Sequence, residues 1–293
     1  MHWLNKEGSM NSDVISIIKN KYFSLSKSQK RISDYILENY SKVAFMTAKV
    51  LAQNSNVSES TVVRFANALG FEGYPELIEA LQENIKSKLT TIERFDLVNE
   101  NSMLKDKRIT NEIMQLDIQN IKSTINKNSV ETIDNIVKEL SDSQRIFILG
   151  LRSSKVLGSY LEYYLSLIFN ETSVKEINPH SIFDSLVNLR AGDVLFAIGF
   201  PRYSKITIEA LKYAKDNNIT IISLTDSKLS PLSDYSKYTL LADLSISTFI
   251  NSLAAPMSII NSLVMAISLE NKKTVHEKFK RLETVWDMYD IFE

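Results

Sequence analysis

The stretch Thr47–Phe71, T-A-K-V-L-A-Q-N-S-N-V-S-E-S-T-V-V-R-F-A-N-A-L-G-F, decides how this chain is organised. It contains two short helical patterns, Thr47–Gln53 and Ser58–Leu69, separated by a polar break. The apolar residues of the second pattern recur at the spacing of a half-buried helix. They are Val62, Phe65, Ala66 and Leu69. Because Gly70 follows them, as expected just beyond a helix end, the pattern predicts two helices joined by a tight turn, the outline of a helix-turn-helix.

The outward face of the second helix is polar. In a helix-turn-helix this helix lies in the DNA major groove, where side chains reach base edges and phosphates. The candidate DNA-binding residues are Thr47 and Lys49 of the first helix and Ser58, Glu59, Ser60, Thr61, Arg64 and Asn67 of the second. Glu59 weighs against a phosphate-rich surface, although a carboxylate can accept from cytosine N4. A second interpretation stands beside this one, because helical domains that bind no DNA also contain such helix pairs.

The charge around this stretch differs from that of the whole chain. The 293 residues carry a formal charge of −1. Between Lys19 and Gly70 there are eight basic and three acidic side chains, which gives a local charge of +5. A basic module in a near-neutral chain suits a polyanionic partner. The alternative is a solvated basic face that binds nothing.

Composition excludes several kinds of site. The chain has no cysteine, so neither a disulfide framework nor a thiolate metal site is expected. Its three histidines, His2, His180 and His276, lie far apart in sequence, and no metal or cofactor is predicted. No apolar run approaches the ~18 residues of a membrane span, and the start lacks a signal-peptide layout. We therefore expect a soluble cytoplasmic protein that binds no membrane. The predicted domains begin at Met10, and residues 1–9 are assigned to none of them.

Helical periodicity predicts a compact all-α domain over residues 10–86. Besides the central pair, helices are predicted at Asp13–Tyr22, at Lys27–Tyr40 and from Tyr74 onward. Residues 87–108 are charged, weakly periodic and free of glycine and proline. This composition predicts a linker, with a helical form that fixes spacing as one option.

Residues 109–293 have the pattern of an α/β domain. Two helices come first, Ile109–Ile125 and Ser129–Leu140, the latter with Ser129 as N-cap. Short apolar runs then alternate with amphipathic segments. Strands are predicted at 146–149, 173–177, 193–198, 219–224 and 238–241, and helices at 154–169, 181–189, 204–217, 249–269 and 274–288. This alternation predicts a five-stranded parallel sheet flanked by helices on both faces, so the fold class is a multidomain chain with an all-α helix-turn-helix domain before an α/β domain.

Polar loops follow three of the predicted strands: Leu149–Ser154, Gly199–Ser204 and Leu224–Ser227. Ligands of parallel sheets bind beyond the carboxyl ends of the strands. Hydroxyls and free N–H groups at helix N-termini form an anion site, to which Arg152 and Arg202 can add bidentate contacts. The alternative is that the serines and threonines only cap helices. Neither G-x-G-x-x-G nor G-x-x-x-x-G-K-[ST] is present, so NAD and P-loop chemistry are not expected.

The quoted motifs resemble those of the RpiR family of bacterial transcription regulators, in which a helix-turn-helix domain precedes a sugar isomerase (SIS) domain. Val57–Phe65 and Leu69–Tyr74 are similar to the recognition helix and the turn after it, and Asp193–Ile198 and Ser223–Ser227 are similar to SIS strands. The resemblance covers nearly the whole chain. It implies binding to double-stranded operator DNA, modulated by a small anionic metabolite for which a phosphosugar is favoured. A palindromic operator also implies a homodimer or higher homo-oligomer.

The candidate effector-binding residues are Arg152, Ser153, Ser154, His180, Arg202, Tyr203, Ser204 and Thr225. In the family the first loop usually reads G-x-G-x-S; here Gly150 and Ser154 match and Arg152 replaces the second glycine. The second loop usually reads S-x-S-G-x-T, of which only the final hydroxyl, Ser204, remains. This departure leaves three interpretations of Arg202: it binds a phosphate, it selects a carboxylate ligand, or it belongs to a partly closed pocket.

The alternative function is a sugar-phosphate isomerase on the same fold, which needs a positioned general base. The candidate bases are Glu162, Glu171, Glu176, His180 and Glu209. None stands in a catalytic motif, and the basic helical domain would have no role in an enzyme. We therefore predict a regulator without catalytic residues. The helices at 249–269 and 274–288 are candidate dimer surfaces, with core packing as the alternative for the first.

Overall fold

The computed structural model describes residues 14–86, 90–100, 109–169, 174–244 and 250–292. Contacts divide these residues into two compact units, an N-terminal unit up to residue 100 and a C-terminal unit from residue 109. Some predictions fall outside the described residues, namely those on residues 10–13, 87–89 and 101–108, on His2, Glu171, Ser173 and Phe249, and on Glu293. Among the helices of the described residues, none combines the length and the hydropathy of a membrane-spanning segment.

The N-terminal unit is entirely helical, as predicted. Its elements are α1 (Val14–Lys21), a 3₁₀ turn (Tyr22–Ser24), α2 (Lys27–Val43), α3 (Ala48–Asn54), α4 (Glu59–Leu69), α5 (Tyr74–Lys86) and α6 (Thr91–Glu100). Helix α6 lies within the stretch interpreted as a linker, which agrees with the helical option for that stretch.

Local signals explain where the helices of this unit begin and end. Thr47 caps α3, since the Val50 amide donates to its hydroxyl at 3.3 Å. Helix α4 ends at Gly70, whose φ of +103° is the left-handed conformation that favours glycine. The predicted apolar stripe of α4 is buried in one core with residues from α1, α2, α3 and α5. The second helix of the pair is therefore fixed by its inward face, and its polar face is left outside.

The C-terminal unit has the predicted α/β fold. Its elements are α7 (Ile109–Lys127), α8 (Val130–Asp142), β1 (Ile146–Gly150), α9 (Ser154–Ile168), β2 (Val174–Glu176), α10 (Ile182–Leu186), β3 (Val194–Ile198), α11 (Lys205–Asp216), β4 (Thr220–Thr225), β5 (Tyr238–Leu241), α12 (Ala254–Glu270) and α13 (Lys272–Met288). The strands form one parallel sheet in the order β2-β1-β3-β4-β5.

Both faces of the sheet are covered. Alternate side chains of β1 enter two different cores, as the two-residue repeat of a strand requires. Ile146 and Ile148 pack with residues of α8, α9 and α12 on one face. Phe147 and Leu149 pack with residues of α10 and α11 on the other. The continuous apolar run of β1 follows from this double burial.

A salt bridge ties β1 to β3 at the amino end of the sheet. Arg145 Nη2 lies 2.6 Å from Asp193 Oδ2, and Arg145 Nε donates to Oδ1 at 3.0 Å. The Asp193 carboxylate is buried and also accepts from the Arg190 amide at 2.8 Å. The hydrogen bond to Asp193 raises the pKa of the Arg145 guanidinium above its usual value. This contact fixes the two central strands next to each other.

Two predicted helices are shorter than expected. Helix α10 was expected over residues 181–189 but ends at Leu186, because Asn188 and Leu189 donate to carbonyls only three residues back. The helix expected from Phe249 begins at Ala254. Pro256 restricts this start, since proline is tolerated in the first turn of a helix but not deeper inside it.

Helices α12 and α13 differ in how much of their apolar surface is buried. Helix α12 buries seven residues and belongs to the core, which confirms the packing alternative for most of its surface. Helix α13 buries Val275 only. Lys278 holds α13 on α9 by donating to the carbonyl oxygens of Ser166 and Phe169. Large apolar side chains are exposed on this helix and just after it: Phe279, Val285, Met288, Tyr289, Ile291 and Phe292.

Candidate functional site

The polar residues of α4 form one hydrogen-bonded cluster. Ser58 Oγ lies 2.9 Å from Ser60 Oγ and 2.8 Å from Thr61 Oγ1. Arg64 turns back along the helix, where its Nη2 donates to Thr61 Oγ1 and its Nε to the Ser60 carbonyl, both at 3.3 Å. Ser58 makes no capping bond to the helix, so its hydroxyl belongs to this cluster. The contacts hold the Arg64 guanidinium at the outer face of α4.

The other predicted DNA-binding residues have different surroundings. Lys49 and Glu59 are exposed, whereas the Thr47 hydroxyl caps α3. The Asn67 amide nitrogen donates to the carbonyl oxygens of Phe71 and Glu72 at 3.1 Å, so it stabilises the turn after α4 and leaves its oxygen to accept.

One further residue of this surface was not among the predicted DNA-binding residues. Val63 lies on α4 with 41% of its surface exposed. An apolar side chain on a recognition helix can contact the methyl group of thymine. The signal was present in the sequence, because Val63 falls outside the apolar stripe of the helix.

The predicted effector residues follow strands that all end at the carboxyl edge of the sheet. From β1 the chain crosses to β2 on one side, and β3 then lies on the other side of β1. The loops after β1 and β3 therefore leave neighbouring strands in opposite directions, and this divergence is where parallel sheets bind ligands. Arg152 and Ser153 occupy the first loop, and Arg202 and Tyr203 the second.

The backbone after β1 is tightly constrained. A Cβ at Gly150 would lie 2.5 Å from the carbonyl oxygen of Ser154, so only glycine fits there. Arg152 has a φ of +57°, a left-handed conformation that costs an ordinary residue about 1–2 kcal/mol. The position at which Arg152 replaces a glycine of the family pattern is thus one whose backbone favours glycine.

Three hydroxyls at this edge form no hydrogen bond within the described part of the chain. Ser153 and Ser204 stand immediately before α9 and α11, yet neither caps its helix. Ser154 is buried in the first turn of α9. The interpretation of the loop serines as helix caps is therefore wrong for Ser153 and Ser204, whose hydroxyls remain available to a ligand.

The structure adds a buried carboxylate to this region. Asp226 is 1% exposed and follows β4 directly. Its Oδ1 accepts from the Tyr203 hydroxyl at 2.6 Å and from Thr225 Oγ1 at 3.3 Å. Its Oδ2 has no partner among the described residues. Thr225 is itself fully buried, so its side chain is not open at the edge. The bond between Tyr203 and Asp226 joins the loops after β3 and β4.

The two remaining effector candidates are exposed. His180 lies in the turn after β2, at the same edge of the sheet, and its amide donates to Asn178 Oδ1 at 3.0 Å. Arg202 precedes Tyr203, and the Pro201 carbonyl just before it accepts from Asn251 Nδ2 at 2.8 Å. Asn251 therefore helps to hold the loop that presents the Arg202 guanidinium.

The acidic residues considered as catalytic bases do not form a catalytic group. Glu162 Oε1 accepts from the Glu176 amide at 2.9 Å, and Glu176 Oε2 accepts from Ser159 Oγ at 2.8 Å. These bonds join α9 to β2 and are structural. Glu209 is exposed on α11. In the ranges that the structure describes, no group of three or more His, Asp or Glu side chains is placed to hold a metal ion.

A helix-turn-helix unit and a parallel α/β unit with an open polar edge together define a DNA-binding regulator with a ligand-binding module. Residues 12–88 match the helix-turn-helix domain of the rpiR family, and residues 139–266 match the SIS domain. An HTH-type transcriptional regulator of Haemophilus influenzae is 30% identical over 230 residues, 78% of this chain and 79% of that protein. The chain belongs to the RpiR family of HTH-type transcriptional regulators, and it is a regulator, not an enzyme.

Further relatives agree with this assignment. A regulator of Caldanaerobacter subterraneus subsp. tengcongensis is 28% identical over 75% of this chain and 77% of its own length. Among solved structures, the sugar isomerase domain of an RpiR transcription factor from Sphaerobacter thermophilus aligns with a TM-score of 0.58 at 21% identity, over 61% of this chain and 99% of that one. The Vibrio vulnificus NanR protein complexed with ManNAc-6P aligns with a TM-score of 0.55 at 23% identity, over 93% and 99%. These two similarities show the shared fold.

Proposed function

We propose that this regulator binds operator DNA through α4 and that a small anionic metabolite, with a phosphosugar favoured, modulates this binding from the carboxyl edge of the sheet. The observation that carries the proposal is the pair of serines, Ser153 and Ser204, whose hydroxyls are close to helix N-termini but cap nothing. Hydroxyls and amides in this position are typical of phosphate sites. The NanR protein, which shares the fold, is described in complex with ManNAc-6P.

On the DNA side, Arg64 reads a guanine or binds a phosphate from the outer face of α4. The hydrogen-bonded cluster of Ser58, Ser60 and Thr61 supports its guanidinium. Lys49, Glu59 and the remaining acceptor of Asn67 lie within the same surface, and Val63 supplies an apolar contact. A preformed cluster reduces the side-chain ordering that DNA binding costs.

On the effector side, Ser153, Ser154 and Ser204 donate to a phosphate, and Arg152 and Arg202 neutralise it. Of the three interpretations of Arg202, phosphate binding is favoured, because its side chain is exposed at the edge where the loop hydroxyls are unbonded. His180 and Tyr203 contact the sugar, and the buried Asp226 orients the Tyr203 hydroxyl by accepting its hydrogen bond at 2.6 Å.

We further propose a homodimer that forms through α13 and works in the bacterial cytoplasm. The domains are residues 10–86 for DNA and 109–293 for the effector, joined by the linker 87–108. Phe279, Val285 and Met288 of α13, and Tyr289 just after it, are exposed apolar side chains that a second copy would cover. The ligand acts by binding one dimer geometry better than another, which changes the spacing of the two α4 helices.

A thermal-shift screen of the purified chain against phosphosugars and small carboxylates tests the effector site. A ligand that binds only the folded protein stabilises it by about 2.7 kcal/mol at a concentration of 100 Kd. This added stability raises the melting temperature. We expect the shift from a phosphosugar to disappear in Arg202→Ala. The shift should persist in the control Arg190→Ala. Arg190 is also an exposed arginine, but it precedes β3 at the amino end of that strand, whereas Arg202 follows the carboxyl end. An unchanged shift in Arg202→Ala would refute the assignment of this loop.

A further inference from the structure

A second exposed surface lies at the junction of the first two helices. We call residues Lys21–Arg31 the α1–α2 corner. Phe23 stands at its tip with 88% of its surface exposed, within the 3₁₀ turn. The Tyr22 ring meets it edge to face at 5.9 Å. Lys30 Nζ lies 5.5 Å from the centre of the Tyr22 ring, so a cation and an exposed aromatic ring share this corner.

Two anchors hold the corner alongside α4. Lys21 Nζ donates to the carbonyl oxygens of Ala68 and Leu69, both at 3.1 Å. Gln29 Nε2 donates to the Arg64 carbonyl at 3.4 Å. Arg64 and Leu69 are five residues apart, which is about 7.5 Å along a helix. These contacts therefore fix the corner next to the C-terminal half of α4, from Arg64 to Leu69.

The charges of the corner favour an anionic partner. Lys27 and Arg31 are both exposed, and neither has a carboxylate within salt-bridge distance among the described residues. They are four residues apart on α2, so they share one face, where two like charges destabilise a helix. Asp34, the acidic residue nearest to them along α2, accepts from the Tyr22 hydroxyl at 2.7 Å. The corner thus keeps two cations together without a counter-ion.

We propose that the α1–α2 corner is a second DNA contact, which rests on the proposed role of α4. A helix with its side chains is about 10–12 Å wide and the major groove is about 12 Å wide, so an element beside the helix meets the phosphates at the groove edge. Lys27 and Arg31 bind these phosphates. Phe23 packs against the sugars at the edge of the adjacent minor groove.

Salt dependence tests the two cations. The probe is a labelled 40-base-pair duplex selected by the wild-type chain from a random library, with binding followed by fluorescence anisotropy between about 50 and 200 mM salt. Each lost phosphate contact reduces the slope of log K against log salt by about 0.9. We expect Lys27→Gln combined with Arg31→Gln to reduce the slope by about 1.8. The control, Lys138→Gln with Lys212→Gln, removes two exposed charges from the C-terminal unit and should leave it unchanged.

A truncated aromatic ring tests the apolar contact. Phe23→Ala should weaken binding on the order of tenfold, with an unchanged salt slope, because it removes apolar contact area and no charge. Phe183→Ala removes a ring that is 51% exposed in α10 and serves as the control. Both variants should unfold at the wild-type temperature, since exposed side chains add little to stability.

The outcomes separate this proposal from the assignment of α4. If the wild-type chain selects no duplex, the proposed function itself fails. If Arg64→Ala weakens binding while the corner variants retain both the slope and the affinity of the wild type, only the second contact is refuted.

Discussion

The polar face of α4 and the carboxyl edge of the sheet are built from the same residue types but are completed differently. On α4, Ser58 and Thr61 bond to each other, and Arg64 bonds to Thr61. At the sheet edge, the hydroxyls of Ser153 and Ser204 form no hydrogen bond in the described ranges, although each residue precedes a helix. The first surface is organised without its partner, whereas the second keeps donors free. This difference fits the proposed function, in which the polar face of α4 binds DNA and the hydroxyls at the carboxyl edge bind a ligand.

The largest expected effect concerns the backbone of the effector edge. In Gly150→Ala the new Cβ meets the Ser154 carbonyl, and relief of this overlap should cost about 3 kcal/mol. Gly73→Ala is the control in the N-terminal unit, because its Cβ meets only Pro75 Cδ at 3.6 Å. Urea unfolding of the two variants measures the difference. Equal free energies of unfolding for the two variants would show that the loop after β1 accommodates a Cβ at position 150. The backbone there would then be no more constrained than that around Gly73.

Loss of the central cation of α4 should have the next largest effect. Arg64→Ala should weaken binding to the selected duplex by about 10–30-fold, within the range of a single base contact. Thr61→Val keeps the charge but removes the hydroxyl that supports it, and should weaken binding less. Anisotropy titrations compare the two variants. Binding as tight as that of the wild type in Thr61→Val would mean that the hydroxyl cluster does not organise the surface.

A smaller effect is expected where the loops after β3 and β4 are joined. Tyr203→Phe removes the 2.6 Å hydrogen bond to a buried carboxylate and should lower the free energy of unfolding by about 1–1.5 kcal/mol. Tyr213→Phe is the control, since the Tyr213 hydroxyl makes no hydrogen bond in the described residues. Thermal unfolding separates the two. Equal melting temperatures would mean that Asp226 does not depend on this bond.

The smallest effect, and one of opposite sign, is expected at Arg152. Arg152→Gly relieves the left-handed strain but increases the freedom of the unfolded chain, for a net gain of about 0.5 kcal/mol. The same variant should weaken the thermal shift caused by a phosphosugar. Asn218→Gly, at another residue with a φ of +57°, is the control and should gain less because asparagine tolerates this conformation. If Arg152→Gly keeps the full ligand response, the strain at this position serves no effector contact.

The sequence predicted the elements well because their signals are local. Ser129 was expected to cap its helix, and it accepts the expected amide hydrogen bond from Thr132 at 3.2 Å. The five strands were recognised because each is a short apolar run between polar turns. Such signals depend on neighbours within a few residues.

The site was less predictable because its geometry depends on distant residues. Nothing in the residues around Asp226 shows that a tyrosine 23 residues earlier donates to it. Nor does the sequence distinguish the serine at 129, which caps its helix, from the serines at 153 and 204, which do not. The direction of a hydroxyl is set by the three-dimensional loop, and a linear pattern does not contain it.

The pairing of β1 with β3 has a consequence for the order of folding. Ile146 pairs with Val194, 48 residues further along the chain, so the centre of the sheet cannot form until a long segment has closed. The N-terminal unit is entirely helical, and contacts between helices close in sequence form quickly. Refolding should therefore show a fast helical phase and a slower phase in which the sheet appears, so that α4 becomes native before the C-terminal unit.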